Sequence, residues 1–455
     1  MYIERQNAIM TPISYARDIL RGEQREQPGG KEKEMDWIVW IENSIGLIFL
    51  LCYAYQMFYV GNVLLTRPHQ SPRSKVLHRY AFIVSARNEE SVIGALIDSL
   101  YQQDYPRELM DVYVVADNCT DHTAGVCQAH GAHVYERFNH VQVGKGYALD
   151  YLFKKMKEDG VFGRYDAFVI FDADNIVDKG YIRAMNDTFD EGYRVITSYR
   201  NSKNYDSNWI SAGYSLWFLR EAKFLNQARM NLGTGCAVSG TGFLVHRDII
   251  DQMGGWKYHL LTEDIEFSVD YALQGGQIGY CKDAIFYDEQ PVTLDASWKQ
   301  RLRWSKGIYQ VLGHYGYKLA GGIFRKHSFT CYDQLMNQFP SVLLMLIGMG
   351  CGVAHLVDAV IEGNMVGTMA YLLNFSIQLG MQLYGFAFLV GAMTMATEWK
   401  NIHCKPARKI WSLFTFPFFM LTYIPISIQA MFTKVSWSPI QHSINRTADQ
   451  IRRAA

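Results

Sequence analysis

The chain has no charge excess of either sign. Its 455 residues carry 44 Lys and Arg against 44 Asp and Glu, for a formal net charge of zero. The cationic surface that duplex binding uses is therefore missing, and nucleic acid is not an expected partner. Zinc-site spacing is missing too. Eight cysteines, at positions 52, 119, 127, 236, 281, 331, 351 and 404, form no CxxC pair and no CxxC…HxxxH pattern. Scattered thiols of this kind suit a reducing compartment. No GxxxxGK[ST] run supplies a Walker A loop. "GTGCAVSGTG" (233–242) lacks the GxGxxG spacing and the later acid of a dinucleotide fingerprint.

What the chain does have is segregated hydrophobicity. "WIVWIENSIGLIFLLCYAYQMFYVGNVLL" (37–65) is long enough for a spanning helix and carries one charge, Glu42. It begins too late, and lacks the cleavage site, for a signal peptide. Further apolar stretches lie at 339–357, at about 367–397 and at 411–432, and each suffices for a hydrocarbon layer of about 30 Å at about 1.5 Å per residue. Buried helices of one soluble core would not be confined to the ends of a polar middle in this way. The loops "RPHQSPRSKVLHR" and "EWKNIHCKPARK" are basic and "DAVIEGNM" is acidic. That asymmetry puts the middle of the chain in the cytosol and the N-terminal tail outside, and makes the protein a multi-pass cell-membrane protein. Parity sends the C-terminus outside, whereas the basic "NRTADQIRRAA" favours the inside. Either one late stretch is re-entrant or interfacial, or the 367–397 stretch bends back.

Residues 79 to about 290 alternate short β-rich runs with helical patterns. "RYAFIVSA", "DVYVVAD", "HVYERF", "DAFVIFDAD" and "RVITSY" read as strands. "SVIGALIDSLYQQ", "DHTAGVCQAHG", "GKGYALDYLFKKMKED" and "YIRAMNDTFDE" read as the helices between them. The expectation is an α/β fold with a mostly parallel sheet covered on both faces, which binds ligands at the C-terminal ends of its strands. Those ends are polar. The first leads into Ser85, Ala86, Arg87, Asn88 and Glu89, the second into Asp117 and Asn118, and the fourth into Asp172 and Asp174. Carboxylates converging on one rim repel unless a cation sits among them. Mg²⁺ or Mn²⁺, held by one or two carboxylates and substrate phosphates, is the expected cofactor. Asp117 and Asp174 also suit plain helix capping. Lys145 stands between two glycines at a helix start, where an anion is favoured, although loop lysines are commonly just solvated.

Eight segments then occur in order: "SARNEE" (85–90), "ADNCTD" (116–121), "GKGYAL" (144–149), "DAD" (172–174), "SGTGFLVHR" (239–247), "TED" (262–264), "DEQP" (288–291) and "QRLRW" (300–304). With these spacings, residues 37 to about 435 resemble the membrane-embedded family 2 glycosyltransferases of the GT-A fold. That group includes the cellulose, hyaluronan, chitin and poly-N-acetylglucosamine synthases. The resemblance implies an inverting transfer from a UDP-sugar, UDP-glucose or UDP-N-acetylglucosamine, onto a β-linked chain that leaves through the membrane part. It implies that Ala86, Glu89 and Asp117 hold the uridine and that Arg87 is also substrate-binding, with Lys145 near uracil or phosphate. Asp172 would face ribose or the ion, and Asp174 would ligate it. Asp264, paired with Glu263, matches the catalytic base, since an acceptor hydroxyl needs a carboxylate to take its proton. Elsewhere "TED" would read as an ordinary helix start with acids in its first turn. Gly240 and Thr241 would let the acceptor approach the backbone closely, or form a tight turn before "FLVHR".

In "SWKQRLRWSKG" (297–307), Gln300, Arg303 and Trp304 share one helical face, while Arg301 points elsewhere. The resemblance makes the first face the acceptor end of the site, with Trp304 stacking on the acceptor sugar and Arg303 steadying the leaving diphosphate. Trp298, Lys299, Arg301 and Lys306 suit lipid headgroups and the membrane interface. No FxVTxK-like gating loop and no C-terminal RxxxR…DxSxxG module is found. The expected plan is a polar tail (1–36), a spanning helix (37–65), a cytosolic GT-A domain (66–295), interfacial helices (296–335), C-terminal spans (336–435) and a tail (436–455). With about four spans the membrane part is small, so membrane lipids or a homo-oligomer are candidate partners in completing a channel. Alternatives are transfer of one sugar to a lipid acceptor, a channel or transporter, and a binding protein with an inactive transferase domain. Intramembrane charges are too few for a transporter, and every acidic position the mechanism needs is filled.

Overall fold

The computed structural model describes residues 36–326, 328–437, 439–440 and 442–453. The expected N-terminal tail, and with it the side on which it lies, falls almost wholly outside the described residues.

Eight strands form one sheet: β1 (Tyr80–Ala86), β2 (Met110–Asp117), β3 (His133–Arg137), β4 (Ala167–Asp172), β5 (Ile176–Val177), β6 (Val195–Ser202), β7 (Phe243–His246) and β8 (Ile278–Asp288). Their order is β3-β2-β1-β4-β7-β6-β8-β5. Pairing is parallel for β1 with β2 and β4, β2 with β3, and β6 with β8; β7 runs against β4 and β6, and β5 against β8. Six strands thus share one direction, and the mostly parallel α/β expectation holds with two reversed strands. The five strands and four helices read from the pattern are all present. The sequence reading did not separate out β8 and the two-residue β5.

The central strands are apolar on both faces because helices cover both. Ala81 and Ile83 pack with Leu149, Leu152 and Phe153 on one side, while Tyr80, Phe82 and Val84 pack with Ile93, Leu96 and Ile97 on the other. At the rim, β1 and β2 end in tight turns. Asn88 (φ 58°) and Asn118 (φ 53°) adopt the left-handed region, which Asn tolerates better than most residues. Asn88 ties the two turns together, its Oδ1 accepting from the Thr120 N–H at 2.8 Å.

Long helices follow the sheet. Leu294–Lys326 carries the QRLRW segment and leads into Phe329–Glu362 and Met365–Glu398, which join at Gly363 (φ 69°); Pro406–Leu421 and Tyr423–Phe432 close the set. Among the described residues, four candidate membrane spans emerge by length and composition: Ser44–Leu65, Phe329–Ile361, Met365–Glu398 and Pro406–Phe432. The 367–397 stretch does not bend, being part of one continuous helix.

The last candidate behaves differently. In its first turn, the Arg408 guanidinium donates to the Asp206 carbonyl at 2.7 Å. After it, Arg446 lies 3.6 Å from the Asp206 carboxylate. Residues at the start of the stretch and beyond its end therefore meet one residue of the sheet domain. The basic C-terminal segment is thereby brought beside the sheet domain.

Buried polar ties fix the long apolar helices to the sheet domain. Arg229 and Asp333 form a two-pronged pair, Nε to Oδ2 at 2.6 Å and Nη2 to Oδ1 at 3.0 Å, and Tyr55 and Tyr59 of the first helix donate to the same carboxylate. At the end of Met365–Glu398, Glu398 accepts from the Tyr199 hydroxyl of β6 at 2.5 Å.

Candidate active site

The sheet order sets the C-terminal ends of β2, β1 and β4 side by side. Ser85 pairs with Asp172, and Ala86 with Ala116, the residue before Asp117. Along this rim the predicted residues fall into two groups.

In the first group, Lys145 is the hub. Its ammonium lies 2.5 Å from Asp172 Oδ1 and 2.6 Å from the Gly240 carbonyl. Thr241 reinforces the link, its Oγ1 accepting from the Asp172 N–H at 2.9 Å and donating to Asn175 Oδ1. Glycine is required at 242, where φ is +65° and a Cβ would run into the Phe286 ring. A Cβ on Gly240 would stand 3.7 Å from Asp264 Oδ2, so bare backbone faces that carboxylate. Glu263 and Asp264 open the helix Glu263–Leu273. Burial, with the like charge of Asp264, pushes Glu263 up to about 7 against the pull of Lys145 and Arg303. Burial raises Asp264 as well, opposed by the Ile265 N–H and by the same two cations. The pair is closely braced. Gly146 leaves room for the Tyr258 carbonyl, Gly307 for the Thr262 side chain, and Arg303 donates to the Leu261 carbonyl at 2.9 Å.

The second group surrounds Asp174, which is buried and whose pKa burial raises well above the ordinary carboxylate range. Asn175 donates to both Asp174 and Asp288, and Asp288 is paired with Arg200. His442, from beyond the last long helix, lies with Nδ1 3.0 Å from Glu89 Oε1 and Nε2 3.7 Å from Asp174 Oδ2. Burial alone would lower its pKa, but Asp174 and Glu89 outweigh that and push it up to about 10. Arg200, Lys203 and His442 are cations that the sequence reading missed. The "DEQP" motif pointed to Asp288 and Glu289, but nothing in the pattern pointed to residues that reach the rim from β6 and from the C-terminus.

Other expected residues stand at the margins. Asp117 is buried and held by Arg137 at 2.5 Å. Ala86 ends β1, its carbonyl accepting from the Cys119 thiol at 3.5 Å. The Arg87 guanidinium sits 5.3 Å from the Trp437 ring centroid, and both line a cavity of about 580 Å³ with His140, Tyr147 and Leu261. Gln300 keeps its buried Oε1 without a hydrogen-bond partner. Trp304 meets the rings of Tyr214 and Phe218 nearly edge-on, at 5.7 and 6.1 Å.

Arg301 corrects the expectation of a lipid-facing cation. It is fully buried, donates to Thr422 Oγ1 at 2.6 Å and to the Phe419 carbonyl at 3.1 Å, and lies over the Phe419 ring. It clamps the QRLRW helix to the helices Pro406–Leu421 and Tyr423–Phe432, because one nitrogen of the guanidinium meets both acceptors while its plane lies over aromatic rings. Lys306 is also occupied inside the protein, donating to the Ala430 carbonyl at 3.0 Å.

A family model described as glycosyltransferase like family 2 matches residues 78–307. The chain belongs to this family. Among curated relatives of this family 2 protein, a β-monoglucosyldiacylglycerol synthase of Synechocystis sp. is 29% identical over 234 residues, 50% of this chain and 47% of the relative. A poly-β-1,6-N-acetyl-D-glucosamine synthase of Staphylococcus aureus is 24% identical over 320 residues, 68% of this chain and 71% of that one. The chain spans about half the length of the first of these. Among solved structures, a mannosyltransferase from Pyrobaculum calidifontis in complex with GDP-Man and Mn²⁺ aligns with a TM-score of 0.54 at 16% identity, covering 86% of this chain and 98% of that one. The catalytic domain accordingly has the GT-A fold.

Proposed function

We propose that the protein is an inverting, metal-dependent membrane glycosyltransferase that uses a UDP-sugar, UDP-glucose or UDP-N-acetylglucosamine, to extend a β-linked polysaccharide. The observation that carries this reading is the Asp264 carboxylate facing bare backbone at Gly240, whose carbonyl Lys145 ties to Asp172. A base beside open backbone, next to a carboxylate rim, suits an acceptor hydroxyl meeting a diphospho-sugar. Three helices would cross the membrane, with Pro406–Phe432 re-entrant and the catalytic domain in the cytosol.

In the reaction, the acceptor hydroxyl would lie against Gly240 and Thr241 and give its proton to Asp264 as its oxygen attacks the anomeric carbon. Glu263 supports the base by its charge. A single displacement inverts the centre, so an α-linked donor gives a β-linked product. Glu89, Asp117 and Arg87 would hold the nucleoside, with Lys145 near the diphosphate. Among the described residues, no group of three or more His, Cys, Asp or Glu forms a ready-made metal site. The donor set nevertheless suits a hard cation that arrives with the diphosphate, since Mg²⁺ and Mn²⁺ accept one or two carboxylates alongside phosphate oxygens. Asp174, with Asp172, would hold it, and when bound it offsets the charge that builds on the leaving UDP. The Mn²⁺ in the mannosyltransferase neighbour agrees with this.

A second reading, transfer of one sugar to a lipid acceptor such as diacylglycerol, is favoured by the Synechocystis relative. Membranes incubated with radiolabelled UDP-sugars and Mn²⁺, their products separated by size, decide between the two. A glycosidase-sensitive ladder supports the polysaccharide. A one-sugar lipid with every donor overturns it.

A further inference from the structure

Glu221 carries a charge that the proposed reaction does not use. It opens a wide π-type turn, Glu221–Asn226, set between the helices Trp209–Arg220 and Gln227–Asn231. Such turns are rare, and they recur at functional sites. This one brings a carboxylate onto the loop that faces the base. Glu221 Oε1 accepts from the Ser239 hydroxyl at 3.0 Å, and Arg200 donates to the Ser239 carbonyl at 2.9 Å. The next residue is Gly240, whose carbonyl Lys145 holds and whose bare backbone faces Asp264.

The carboxylate is incompletely matched. Among the described residues no cation makes an ion pair with it: Arg200 is paired with Asp288, Arg229 with Asp333, and Arg220 donates to Gln56 at 2.8 Å. These three arginines act on Glu221 from a distance, and burial still lifts its pKa above that of an ordinary glutamate. An ionised carboxylate offers about four lone-pair sites. Ser239 takes one of them, and a buried acceptor left without partners is costly.

Glu221 also shares a wall with Trp304. Tyr214, Phe218 and Glu221 are spaced i, i+4 and i+7 along one helical face, and Tyr214 and Phe218 are the two rings that Trp304 meets. An aromatic ring and a carboxylate on one wall match the two sides of a sugar. The ring covers its apolar C–H face, and the carboxylate accepts from its hydroxyls. Diacylglycerol presents a single hydroxyl, which the reaction consumes, so it would leave Glu221 with nothing to accept.

We propose that Glu221 is a further acceptor-binding residue, one carboxylate oxygen holding Ser239 and the other taking a hydroxyl of the sugar that stacks on Trp304, so that the site selects a carbohydrate over a lipid alcohol. The inference rests on the glycosyltransferase reading above and fixes the class of acceptor within it.

The test uses the full chain in detergent with Mn²⁺ and a radiolabelled UDP-sugar. A soluble β-linked oligosaccharide of the same sugar is one acceptor, and dispersed diacylglycerol is the other. Glu221→Gln keeps an oxygen for Ser239 and loses the charge. It should raise the KM for the oligosaccharide about tenfold, the scale of a hydrogen bond to a charged group, with kcat within about threefold and UDP affinity unchanged. Glu221→Asp should fall between it and the natural chain. Ser239→Ala, which removes the brace and leaves the carboxylate, should raise that KM far less. An unchanged KM in Glu221→Gln, or an equal rise in Ser239→Ala, confines Glu221 to bracing the loop and overturns the inference, with the glycosyltransferase reading left standing. Transfer by the natural chain to diacylglycerol alone overturns it as well. If the natural chain transfers sugar to neither acceptor, the reading fails and the inference falls with it.

Discussion

The Lys145 ammonium bridges the Asp172 carboxylate, at 2.5 Å, and the Gly240 carbonyl, at 2.6 Å. One side chain thereby fixes the orientation of a rim acid and the position of the backbone that faces Asp264. Lys145→Met should weaken UDP binding about tenfold or more, the scale of a lost charge-assisted hydrogen bond of about 1.5–3 kcal/mol. Calorimetry with UDP and Mn²⁺ checks this, and an unchanged affinity would confine the lysine to bracing the loop.

Asp264→Asn keeps the shape of the side chain and removes its ability to take a proton. Turnover should fall by about 10² to 10⁴, while UDP binding stays close to that of the natural protein. Substantial residual turnover with intact folding would move the base elsewhere.

The pH profile follows from Glu263, held up to about 7 by burial and by the charge of Asp264. The base must be unprotonated to act, so kcat/KM should rise with pH through an acid limb that belongs to the pair, and level off above it. Glu263→Gln removes the neighbouring negative charge and should move the limb to lower pH. A limb that does not move assigns it to another group.

Asp333→Asn would leave the Arg229 guanidinium buried and half-paired, at a cost of about 3–5 kcal/mol. Thermal unfolding in detergent should show it as a clear drop in midpoint. Replacing both partners, Arg229→Met with Asp333→Leu, should recover part of the loss, because the unpaired buried charge is gone while the Tyr55 and Tyr59 hydroxyls lose their acceptor.

Trp304→Ala should reduce product length and turnover about tenfold, from an aromatic contact worth up to about 1.5 kcal/mol, with UDP affinity within about twofold. Trp304→Phe should restore much of the elongation. Equal losses in both readouts would mean that the ring serves the wall of Tyr214 and Phe218 rather than the acceptor.

The α/β architecture and the gathering of most candidate residues along one rim were legible in the chain because their signals are local. β1, β2 and β4 announce themselves as apolar runs, and the acids that end them lie within a few residues of those runs. Asp264 is placed by the helix it begins, and Lys145 by the glycines around it. The apolar stretches were equally plain, since spanning length is a property of consecutive residues.

What the fold alone decided depends on long-range pairing. His442 meets Glu89 across 353 residues of sequence, and no periodicity encodes such a meeting. Arg301, one position from the face that carries Gln300, Arg303 and Trp304, reads as a surface cation until Phe419 and Thr422 close over it. Pro406–Phe432 is apolar enough to span, yet Arg408 in its first turn and Arg446 beyond its end both reach Asp206. Composition sets which segments prefer an apolar surrounding. Which of them cross, and which cation sits beside which carboxylate, is set by the ends that the tertiary structure ties together.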